Sequence, residues 1–148
     1  MDGIPDQIEL AFSSLASTVD NEGEWWQLIL RITADFRIRI GTSSFYSEVD
    51  FPIVEFAVET QKWLVGRKGS FVYSSMESDE NPLLSFNLSS KEKYTVQSPH
   101  QIFRYDEEIS ESHLAEVLSL FIIDVTTRIH RELGFDVNIA LLATNPSL

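Results

Sequence analysis

From Trp26 to Ile40 every even position is apolar: Trp26, Leu28, Leu30, Ile32, Ala34, Phe36, Ile38 and Ile40. The odd positions are polar or charged except Ile29. Successive strand side chains point to opposite faces, so this period predicts one long strand with a single buried face, bent or bulged midway. Such a strand needs a partner. Gly41-Thr42-Ser43-Ser44 offers a turn, and Phe45 to Phe51 offers the return strand. The return strand is expected to place Phe45, Val49 and Phe51 on one face and Tyr46, Glu48 and Asp50 on the other. Antiparallel pairing would then bring Glu48 and Asp50 close to Arg37 and Arg39.

The segments around this hairpin read as follows. Ile8, Ala11, Phe12 and Leu15 fall at helical spacing, which predicts a short helix from Pro5 to Ser17, and Thr18 to Glu24 reads as an acidic loop. Pro52 suits the first turn of a helix whose stripe is Ile53, Phe56, Ala57, Thr60, Trp63 and Leu64, closed by Gly66. Short alternating runs at Phe71–Met76, Leu83–Leu88, Lys93–Ser98 and Gln101–Tyr105 predict an antiparallel meander. Ser110 is a good N-cap for a long helix with Leu114, Val117, Leu118, Phe121, Ile122, Val125 and Ile129 inward, and Gly134 ends it. Leu120 and Ile123 widen that stripe, so the helix is expected to be covered on more than one side. Phe135, Val137, Ile139 and Leu141 predict a last strand. The fold class that results is α+β. It is a single domain over 1–148, with tails at 1–4 and 145–148, in which a meander sheet with a long opening hairpin packs on two or three helices.

With 148 residues and 43% hydrophobic content, such a domain can bury a core without staples, and the absence of cysteine excludes disulfides and thiolate metal sites. The start lacks the basic and apolar regions of a signal peptide, and the most apolar stretch, Leu118 to Ile123, is too short to span a bilayer; a cytoplasmic location is the expectation. The outlying quantity is charge. Twenty-three acids against eleven bases give −12, a field that repels nucleic-acid phosphates and anionic lipid and attracts basic surfaces. The same acids also serve solubility. They cluster before Arg31, at Glu77, Asp79 and Glu80, and at Asp106, Glu107, Glu108 and Glu111.

Chemistry-bearing motifs are sparse. His113 and Glu116 lie one turn apart, as some metal ligands do, but no third ligand follows from spacing; an exposed first-turn histidine is the simpler reading. His130 near the helix end favours the dipole, and Asp124 with Arg128 reads as an i,i+4 ion pair. No G-x-S-x-G elbow or phosphate-binding loop occurs. Arg31, Arg37 and Arg39 are expected to share a strand face, without the aromatic residues of an RNA platform. No cofactor or metal is expected.

The run from Trp25 to Leu64, with its Trp-Trp start, acidic return strand and Phe51-Pro52-Ile53-Val54-Glu55-Phe56 entry into a helix, resembles small acidic bacterial immunity proteins of polymorphic or contact-dependent toxin systems. That resemblance implies a non-catalytic protein that binds and neutralises a basic toxin domain, with acids ringing an aromatic anchor. Trp25 and the Glu77, Asp79 and Glu80 loop are the candidates, with Asp106, Glu107, Glu108 and Glu111 as a further acidic face. The alternatives are an adaptor or regulatory domain with a basic protein partner and, third, a small hydrolase. Oligomeric state is left open.

Overall fold

A computed structural model of the chain describes residues 7–17, 31–66, 69–75, 82–134 and 136–143. Three strands, β1 (Ile8–Ser17), β2 (Ile32–Ile40) and β3 (Ser43–Phe51), form an antiparallel sheet in the order β1-β2-β3. Helix α1 (Ile53–Gly66) follows. A second antiparallel sheet holds β4 (Phe71–Tyr73), β5 (Leu84–Ser90), β6 (Lys93–Gln97) and β7 (Ile109–Ser110) in chain order. The long helix α2 (Glu111–Leu133) and the short helix α3 (Ile139–Ala143) complete it. The α+β class is therefore observed, with hairpin and meander in separate sheets that share one core.

Period-two patterning is obeyed most cleanly in β2. Ile32, Ala34, Phe36, Ile38 and Ile40 are all buried, and Arg37 and Arg39 face solvent. The strand begins only at Ile32, since Arg31 has helical backbone and does not share the face of Arg37 and Arg39; Trp26 to Leu30 lie outside the described residues. The segment expected to be a helix from Pro5 is instead β1, paired with β2 from Ile8↔Ile40 to Ser17↔Ile32. Its apparent helical spacing comes from a bulge. Ile8, Leu10 and Phe12 face inward in strict alternation, and the register then slips between Ser13 and Ala16, where Ser14 has φ 57. The slip moves Leu15 into a half-buried position that mimics i+7. A strong partner strand outweighs a marginal helical stripe.

Two further bulges change β3. A register shift between Ile38 and Arg39 sets Tyr46 opposite inward-facing Ile38, in the core beside Phe45, and a second between Ala34 and Phe36, with φ 54 at Asp50, leaves Val49 67% exposed. The expected Glu48 and Asp50 pairing with Arg37 and Arg39 does not form. Arg37 lies opposite Ser47, and Arg39 pairs across β1 with Glu9 at 3.6 Å. Gln101–Tyr105 is not a strand either. Ile102 donates its N–H to the Phe45 carbonyl at 2.7 Å, and Ile109–Ser110 closes the second sheet instead. The last strand expected from Phe135 is replaced by α3, with Val137 and Ile139 buried and Phe135 outside the described residues.

Helix α2 starts where its sequence says. The Ser110 hydroxyl accepts from the His113 backbone N–H at 3.2 Å, and Gly134 closes the helix at φ 78. Replacing Ser110 by alanine should cost about 1 kcal/mol, read from urea unfolding, because one orphan donor of the first turn is lost. The expected inward residues are buried, with Val117 half-buried, but Leu120 and Ile123 are 60% and 61% exposed. Among the described residues, the helix is covered on one side only. The proposed loop at 18–24, Trp25, the Glu77–Glu80 loop and both tails lie outside the described residues.

Candidate functional site

On α2, His113, Glu116, Val117, Leu120, Phe121 and Asp124 follow the i, i+3, i+4 rule and share one face. Opposite them run Gln7 to Leu10 of the edge strand and Gly41 of the first turn. Between these walls lies an open groove of about 660 Å³. The helix is pinned to β1 just beyond it. Phe12 and Phe121 meet edge to face at 5.9 Å, and the Arg128 guanidinium stands 4.2 Å above the Phe12 ring. Arg128 Nη1 also donates to the Phe12 carbonyl at 2.6 Å.

The groove has an apolar floor and an acidic rim. Of its lining, Ile8 and Phe121 are buried, Leu120 is exposed, and Glu9, Glu116 and Asp124 carry exposed carboxylates. Among the described residues, no lysine or arginine lines it. Glu9 is held by Arg39 at 3.6 Å and Asp124 by Arg128 at 3.8 Å, as the i,i+4 spacing predicted. Glu116 makes no ion pair among the described residues. His113 is half-buried rather than exposed, since its Nε2 is shielded from solvent and has no hydrogen-bond partner. Among the described residues no group of three or more His, Asp or Glu is placed to hold a metal.

The acidic residues picked out by sequence fare differently. Asp106 accepts from Arg104 Nε at 3.0 Å, so its charge is matched nearby. Glu108 accepts from the Ser89 hydroxyl at 2.7 Å and from Ser90 at 3.1 Å, and these bonds hold its carboxyl below the usual range, helped by Lys93. Glu107 is exposed, and Glu111 sits half-buried in the first turn of α2. Two of these four are thus engaged within the chain. Trp25, Glu77, Asp79 and Glu80 lie outside the described residues. The groove acids Glu9, Glu116 and Asp124 escaped the sequence reading as a set. Only the repeat Glu116, Leu120, Asp124 at four-residue spacing hinted at it.

The remaining titratable pairs are structural or peripheral. Glu55 is 5% exposed on α1 and accepts the Tyr73 hydroxyl at 2.7 Å. Tyr46 donates to Glu48 at 2.5 Å. Burial first, then the neighbouring carboxylate, pushes both phenols far above their ordinary value. His130 Nδ1 lies 2.7 Å from Asp136 Oδ1 on the exposed surface. No helix among the described residues is long and apolar enough to cross a membrane.

Fold and groove together define a small α+β domain with an acidic cleft beside a sheet edge that no other described strand pairs with. The chain belongs to the family described as Domain of unknown function (DUF7878), whose match covers residues 8–131. That span runs from the first residue of β1 almost to the end of α2, so both main walls of the groove fall inside it. No curated protein and no solved structure matches the chain.

Proposed function

We propose that this domain is a non-catalytic binding module for a basic protein partner, with the β1–α2 groove as its contact surface. The observation that carries the reading is the lining: three carboxylates beside buried Ile8 and Phe121, with no lysine or arginine among the described lining residues. Glu9 and Asp124 are each held by an arginine outside the lining, and Glu116 makes no ion pair among the described residues. Acids that ring an apolar anchor attract a basic surface at long range and reward apolar burial on contact. Toxin neutralisation by an intracellular immunity protein is the particular form this takes in our reading; it adds that the partner is a toxin domain. An adaptor role keeps the same surface with another basic partner.

Capture of the cognate partner from the native host, with neighbouring gene products as candidates, tests the reading. Association should be fast at low salt and weaken as salt rises. Glu116→Lys with Asp124→Lys should slow it about tenfold or more by reversing the steering field. A rate unchanged by both salt and reversal would remove the groove from the proposal.

A second reading has one observation in its favour. His113 and Glu116, one helical turn apart, both line this groove, and a small hydrolase could draw on such a pair for proton transfer. Among the described lining residues there is no serine, threonine or cysteine to serve as nucleophile, so water would have to attack. His113→Gln discriminates: it would abolish hydrolysis, but leave the salt-dependent association in place.

A further inference from the structure

Among the described residues, no strand covers the outer edge of β1 where it borders the groove. In the antiparallel pair with β2, alternate residues turn their backbone groups toward the partner strand. Gly41 N–H donates to the Gln7 carbonyl at 2.9 Å, which assigns the odd residues of this stretch to the β2 side. Ile8, Leu10 and Phe12 therefore point their N–H and C=O groups away from β2. Arg128 takes the Phe12 carbonyl. No strand among the described residues pairs with this edge, and β1 is the terminal strand of its sheet. An unpaired strand edge is a template for another chain.

We infer that the occupant of this groove is a short extended segment of the basic partner, added as a fourth strand beside Ile8 and Leu10. This rests on the binding reading above and specifies its form. Arg128 on the Phe12 carbonyl ends the available edge, so the added strand is brief. Spacing sets its pattern. Glu116, Leu120 and Asp124 are each four residues, or about 6 Å, apart along the helix. Same-face residues of a strand repeat at about 6.8 Å. A segment of the form cation–x–apolar–x–cation thus matches them in turn. Its central side chain meets Leu120, and its cations meet Glu116 and Asp124. The intervening side chains lie on the opposite face, beside exposed Glu9. Strand addition would supply main-chain hydrogen bonds for affinity, and the helix face would supply the choice of side chains.

The probe is the capped peptide acetyl-Lys-Thr-Val-Thr-Lys-amide, titrated calorimetrically into the full chain at low salt. Two N-methylated forms accompany it, one blocked at the threonines and one at the valine and lysines, so that each loses the donors of one strand edge. Binding should fall about tenfold or more with one form and stay within about twofold with the other, since only one edge faces β1. The Ile8 and Leu10 amides should become protected from hydrogen exchange in the complex. Equal effects of the two forms, or tighter binding by a helix-constrained peptide of the same charge, would overturn strand addition while leaving an acidic binding groove intact. Absence of binding by either the extended or the helical peptide would also overturn it. Whether the broader reading stands is then decided separately, by the effect of Glu116→Lys on partner capture.

Discussion

Replacing Phe56 by alanine should destabilise the fold by about 3–5 kcal/mol, the range for removing a buried phenylalanine. Phe56 is fully buried where both sheets and both long helices meet. Its ring lies 5.3 Å from Phe36, 5.5 Å from Phe51, 5.0 Å from Tyr73 and 5.5 Å from Phe121, with Phe71 at 6.0 Å. Among the described residues, no other aromatic ring contacts β2, β3, β4 and α2 together. The neighbours are themselves large and packed on one another, as in the 4.5 Å stack of Phe36 and Phe51, so the cavity has little room to collapse. At roughly 3 °C per kcal/mol for a chain of this size, the Tm should drop by about 10–15 °C. Urea unfolding followed by near-ultraviolet circular dichroism would measure it. A loss below about 1.5 kcal/mol would mean that the two halves of the core are energetically separate.

Alkaline pH should unfold the protein unusually early. Tyr46 and Tyr73 have folded pKa values raised far above the ordinary tyrosine value, by burial and by the carboxylates they donate to. A raised folded pKa favours the protonated phenol in the native state. Its stabilisation is complete below the unfolded value near pH 10 and is lost as pH climbs above it toward the folded values. Above pH 10 the unfolded chain binds fewer protons than the native one, so stability falls with pH. More than about a unit above pH 10, where the unfolded phenol is ionised, each tyrosine contributes a slope approaching about 1.4 kcal/mol per pH unit, and the pair about 2.7. Urea midpoints between about pH 11 and 12 would give the slope. Tyr46→Phe with Tyr73→Phe should flatten it by that amount, although Tyr73→Phe also removes the hydroxyl that Glu55 accepts and lowers stability at neutral pH. A slope identical in the double variant would show that other groups govern the alkaline limb.

These two expectations rest on parts of the fold that were unevenly legible. The stripe of α2 and its Ser110 and Gly134 boundaries could be read directly, because helix periodicity and caps are local. The inward face of β2 could be read for the same reason. The strand identity of Ile8–Ser17 could not, since a bulge at Ser14 disguised a period of two as a period of 3.6. Tyr46 and Val49 exchanged faces through two similar slips, one at Phe45 and one at Asp50. Bulges depend on how one strand must bend to meet its neighbour, which no single segment records.

The groove shows the same division. Its acids are distant in sequence, Glu9 on one strand and Glu116 and Asp124 on a helix, and only packing brings them together. Taken alone, Glu116 looked like half of a metal pair and Asp124 like half of an ion pair. The ion pair exists, and a larger surface contains it.

By itself the sequence determined the α+β class, the strong negative charge, the absence of cysteine chemistry and the core faces of α2 and β2. These follow from composition and from local periodicity, which act within a few residues. Only the tertiary structure decided that β1 is an edge strand, that Leu120 stays exposed, and that three carboxylates surround an apolar cleft beside open backbone groups. Those outcomes depend on which segments pair and where a bulge shifts the register. Pairing is settled by burial summed over the whole core, to which each segment contributes only part.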